Sequence, residues 1–101
     1  MILDLHGHSI KESSFFYGAC EATRNFEDFY NIRLFNAIMS QMESNFTREY
    51  SSFYVGEYKS GTARVACSRN FTPFSYTLET SYLSSRNSDY HFSVQDFKGI
   101  G

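Results

Sequence analysis

The sequence contains no tryptophan, one proline, six glycines and two cysteines in 101 residues. So little proline and glycine excludes collagen-like repeats and proline-rich linkers. Cys20 and Cys67 lie in unlike contexts with no C-x-x-C spacing, so no disulfide framework is encoded, and a reducing compartment is the simpler setting. The formal net charge is −2 and no polybasic tract occurs, which argues against a nucleic-acid binder working through a basic surface. No apolar run is long enough for a membrane span, and the N-terminus MILDLHGHS lacks the basic start and apolar stretch of a signal peptide. Gly18, Gly56 and Gly61 form no phosphate-cradling loop, and neither cysteine has the local sequence of a nucleophile site.

Aromatic residues are abundant instead, with eleven Phe and eight Tyr making 19% of the chain. Rings at this density serve first to fill a core. With 42% hydrophobic and 20% charged residues the composition is that of an ordinary globular protein. A chain this short makes one domain at most and buries about two-thirds of its unfolded surface.

The run 2–5 is short, apolar and β-prone, and predicts a buried strand delivering His6-Gly7-His8-Ser9 at its C-terminal end, where open α/β sheets place their ligands. Phe15-Phe16-Tyr17, stopped by Gly18, predicts a second strand with a packing role. Residues 21–44 contain no Gly or Pro, and Phe26, Tyr30, Leu34, Ile38 and Met42 recur every fourth residue, so a helix is expected with this stripe in the core. Lys59-Ser60-Gly61-Thr62 suggests a turn whose Ser or Thr caps a short helix through Arg64 and Cys67. The alternating ring and hydroxyl residues of 74–82 predict a central strand carrying Glu79. A polar loop is expected over 84–89, and Ser93 with Asp96 reads as an N-cap opening a helix.

Few residues could do chemistry. His6 and His8 are expected on opposite sides of the chain, so that only one would serve a given metal. A catalytic zinc needs three protein ligands, commonly with two close in sequence, yet no His is followed three residues later by Glu and His91 stands alone. Glu79, a carboxylate within an otherwise apolar, aromatic and hydroxyl strand, is placed as a general base; the alternative is an outward strand residue on a solvated face. Residues 58–78 carry Lys59, Arg64 and Arg69 and no acid, so this segment would attract an anion.

Four blocks in order carry a resemblance: Asp4-Leu5-His6-Gly7-His8-Ser9 with Lys11, Phe16-Tyr17-Gly18, Lys59-Ser60-Gly61-Thr62-Ala63-Arg64-Val65, and Ser75-Tyr76-Thr77-Leu78-Glu79. Together with the ending Phe92 to Gly101 they resemble the cytosolic carboxypeptidases, a zinc metallocarboxypeptidase family. The resemblance implies an α/β fold, with residues 1–101 forming the C-terminal portion of a mixed-sheet α/β sandwich and hence a partial catalytic domain. It implies that His6 is one zinc ligand and that Glu79 is the general base toward a zinc-activated water. Arg64 matches the floor of a specificity pocket that selects a C-terminal glutamate, and Tyr58 lies near where a substrate-carboxylate tyrosine is expected. The implied substrates are glutamate-rich protein tails such as those of tubulin, in the cytoplasm, with no nucleic-acid or membrane partner. The His-x-x-Glu ligand pair of that family has no counterpart here, so the chain alone is expected to be inactive; the alternative is a non-catalytic relic that binds acidic tails through Lys59, Arg64 and Arg69.

Overall fold

The computed structural model describes residues 1–20, 25–84 and 91–100. Three strands and three helices make a small mixed α/β unit: β1 (Ile2–His8), β2 (Ser14–Tyr17), α1 (Phe26–Met42), α2 (Ala63–Asn70), β3 (Ser75–Ser81) and α3 (Val94–Ile100). The sheet order is β1-β3-β2. The last strand in sequence is thus the central one, as its aromatic and hydroxyl alternation predicts. It runs parallel to β1, with Ile2 opposite Ser75 and His8 opposite Ser81, and antiparallel to β2, with Ser14 opposite Thr80 and Tyr17 opposite Thr77.

Strand periodicity sends alternate residues of β3 to opposite faces. Tyr76 and Leu78, with Phe16 of β2, pack into a core completed by Cys20, Ile32, Phe46 and Ile100. Phe16 stacks on Phe35 at 5.1 Å, and the Tyr76 hydroxyl donates to the Ile32 carbonyl at 3.2 Å, which fixes α1 across this face. The outer edge of β2 is bridged at Ser14 to Phe46 and at Tyr17 to Ser52, while β1 pairs with β3 alone among the described residues.

α1 begins where Asn25 adopts an extended backbone and its Oδ1 accepts from the Glu27 N–H at 2.9 Å, with Glu27 and Asp28 favourably placed in the first turn. The expected apolar stripe faces outward: Phe26 is 74% exposed and Met42 79%, and Tyr30, Leu34 and Ile38 are exposed as well. The helix packs instead through Ile32, Phe35, Asn36 and Met39. Both sets are spaced for one helix face, and the rings of Phe16 and Tyr76 engage the second.

β1 also departs from expectation. It extends through His8, and Leu3, Leu5, His6 and Gly7 are exposed, because an edge strand covered on few sides buries little. Thr62 occupies the N-cap of α2, yet its hydroxyl donates to the Lys59 carbonyl at 2.9 Å and caps nothing. Ser93 does open α3: its N–H and hydroxyl both donate to Asp96 Oδ2, at 2.7 and 2.6 Å. The expected polar loop over 84–89 falls, apart from Ser84, outside the described residues, as do 21–24 of the expected helix. No helix among the described residues is long and apolar enough to cross a membrane.

Candidate functional site

The register sets His6 directly opposite Glu79 on the neighbouring strand, and Phe15 opposite Glu79 on the other side. Register partners share a sheet face, so these three side chains lie in one row about 4.8 Å apart by strand spacing. One step along β2, Tyr17 shares that face. The Arg64 guanidinium of α2 lies over the Tyr17 ring at 5.3 Å, and the Lys59 ammonium lies over the same ring at 4.9 Å. His6, Glu79 and Arg64, far apart in sequence, are therefore gathered on one face of the sheet.

Arg64 is buried, 6% exposed, with Val65 and Ser68 on the inner side of α2. Its Nε donates to the Gly18 carbonyl at 3.3 Å, and Ser68 Oγ donates to the Ala19 carbonyl at 3.5 Å, so the segment after β2 anchors the helix. No carboxylate pairs with Arg64 among the described residues. Burial lowers its affinity for a proton, while Tyr17 and Glu79 act in the opposite sense. Burial raises the Tyr17 phenol, Glu79 raises it further, and Arg64 partly offsets both. A half-buried carboxylate, a phenol held neutral and a buried cation can move a proton at Glu79 and take an anionic group at Arg64.

Asp4, His6 and His8 occupy alternate positions of β1 and so share one face, contrary to the expectation that the two histidines oppose each other: residues two apart in a strand point the same way. His8 stacks edge-on to Phe15 at 4.9 Å. Its Nδ1 accepts from the Lys11 N–H at 3.2 Å, and its Nε2 is enclosed without a partner among the described residues. His6, half exposed, sets Nε2 against Asp4 Oδ2 at 2.9 Å. A catalytic zinc takes three protein ligands. No three His, Cys, Asp or Glu side chains come together to hold a metal ion among the described residues, so those present do not fit a zinc centre by themselves. His6 supplies one nitrogen.

Two participants escape the sequence reading. Tyr17 was legible only as packing, although strand alternation separates it from the buried Phe16 and puts its hydroxyl on the face of Glu79. Asp4, two residues before His6, is on the same face by the same rule. Tyr58 is largely exposed, with the Lys59 ammonium 5.6 Å from its ring centroid. Arg69 is on the exposed side of α2, apart from Arg64.

The chain is 33% identical over 103 residues to cytosolic carboxypeptidase 2 of Macaca fascicularis, and 34% identical to that of Mus musculus. It is 29% identical to cytosolic carboxypeptidase 3 of Bos taurus. Each alignment covers 97% of this chain, but the chain spans only 12% of either first relative and 10% of the third. No family model matches it.

Proposed function

The chain belongs to the cytosolic carboxypeptidase family over the short stretch of its relatives that it spans, and from that premise we propose that it forms part of a catalytic domain removing C-terminal residues from proteins. The observation that carries the reading is the pairing of His6 with Glu79 across β1 and β3, with buried Arg64 alongside. Glu79 takes a proton from the attacking water and returns it to the departing amine. Arg64 receives an acidic C-terminal side chain as a charge-assisted pair. Zinc bound in the complete domain would supply Lewis acidity, and His6 would offer it one nitrogen. Glutamate-rich tails such as tubulin's are the substrates that fit, and a cytoplasmic setting goes with them.

The outward stripe of α1 and the unpaired edge of β1 support a partial domain. Leu5, Gly7, Leu78, Tyr82, Phe97 and Ile100 line an apolar cavity of about 380 Å³ beside that edge.

A chimera decides the matter: this chain replaces its aligned segment in the macaque relative, and release of glutamate from a peptide is measured. Hydrolysis is expected, with Glu79→Gln reducing it about 100-fold to 10,000-fold. A zinc-loaded, folded chimera in which Glu79→Gln has no effect would remove the proposal. The lack of three gathered metal ligands among the described residues favours a second reading, a non-catalytic binder of acidic tails; it predicts salt-sensitive binding of a polyglutamate peptide by the isolated chain and an inert chimera.

A further inference from the structure

On the far side of β2 from Glu79, between α1 and the 48–53 segment, lies an open cavity of about 490 Å³ lined by Arg33, Asn36, Arg48, Glu49, Ser51 and Phe53. That volume is in the range of small-molecule sites. Its lining is rich in donors. Arg33 is held rigidly: its guanidinium lies 3.8 Å from the Phe29 ring centroid and 5.2 Å from that of Phe53, and Nη1 reaches Cys20 Sγ at 2.9 Å and the Phe29 carbonyl at 3.5 Å. Neither Arg33 nor Arg48 meets a carboxylate among the described residues, although Glu49 stands in the same wall.

Asn36 supplies the second observation. It is 4% exposed. The Phe16 N–H donates to Ser51 Oγ at 2.9 Å, and the Ser51 hydroxyl donates to Asn36 Oδ1 at 2.8 Å. That relay uses the amide oxygen and leaves the Nδ2 hydrogens without an acceptor among the described residues, on a side chain that lines the cavity. A donor left open on a cavity wall is available to an acceptor that a ligand brings.

We propose that this cavity is a binding site for a small oxyanion-bearing ligand, its phosphate or carboxylate received by Arg33, Arg48 and Asn36 Nδ2 and its less polar part lying on Phe53. Two guanidiniums suit such a group because each presents paired N–H donors to two oxygens. Glu49 limits the excess to one positive charge, which favours one anionic group over a polyanion. The site is independent of the carboxypeptidase reading, since it shares no residue with His6, Glu79 or Arg64.

The test is a ¹H–¹⁵N titration of the chain with inorganic phosphate and, separately, with glutarate, against sodium chloride at equal ionic strength. Saturable shifts at the Asn36 side-chain amide and Arg33 Nε are expected in at least one arm, and the arm that saturates first names the anion. Arg48→Gln, on an exposed turn, should weaken binding about tenfold or more, the effect of losing a hydrogen bond to a charged group. Arg33→Lys keeps the charge but loses the fork, and should weaken binding while leaving the spectrum dispersed. Lys98→Gln, on α3, should leave binding unchanged. Equal shifts with chloride, no shift in either arm, or unaltered binding in Arg48→Gln and Arg33→Lys would overturn the proposal.

Discussion

Tyr76 shows how one side chain ties core to chemistry. Burial pushes its phenol from 10.0 up to about 12, with Cys20 adding to the effect. The neutral form is therefore favoured by folding; the stability it contributes is complete below pH 10 and is lost as pH rises toward 12. Denaturant titrations of wild type and Tyr76→Phe should differ at neutral pH by about 0.5–1.5 kcal/mol for the lost bond to Ile32, and the wild type's advantage should shrink as pH rises above 10. Arg64 gives a contrasting expectation. Its charge is buried without a carboxylate among the described residues, so Arg64→Met should alter stability by less than about 1 kcal/mol while abolishing selectivity for glutamate in the chimera. Thermal melts and a comparison of glutamate-ending with leucine-ending peptides measure the two effects. Glu79 and His6 were singled out in the sequence chiefly by the family blocks around them, and the register adds that they are neighbours. Tyr17 was not, since a tyrosine in an aromatic run looks like packing until the register shows which face it takes.

Among the elements, β3 was correctly expected at the centre of the sheet. α1 was found but turned the wrong way. Phe26, Tyr30, Leu34, Ile38 and Met42 form one apolar face and Ile32, Phe35 and Met39 another, so periodicity announces a helix without choosing its buried side. That choice is made by long-range contacts with Phe16 and Tyr76, which no local pattern contains. Substitutions should follow the observed orientation. Ile32→Ala is expected to cost about 2–5 kcal/mol in urea denaturation. Leu34→Glu should stay within about 0.5 kcal/mol and lower self-association in sedimentation. A large loss from Leu34→Glu with little from Ile32→Ala would mean that α1 sits the other way round.

Across the whole molecule, the α/β fold class was implied by the family resemblance, whereas the edge position of β1 was not legible, because edge or centre depends on which strands assemble beside it. The lack of three gathered ligands among the described residues gives a direct expectation for metal: after dialysis at neutral pH the isolated chain should retain well under one equivalent of zinc, read by elemental analysis. Tight equimolar zinc would show that other donors complete a site. The parallel ladder that pairs Ile2–His8 with Ser75–Ser81 has a consequence in time as well as in space. Its two strands come from opposite ends of the chain, and bringing such distant segments together is entropically slow. α1 can form early from local contacts, but His6 and Glu79 become neighbours only when nearly the entire chain has closed around them. During refolding, the candidate site should therefore be the last feature to mature, and its appearance a clock for completion.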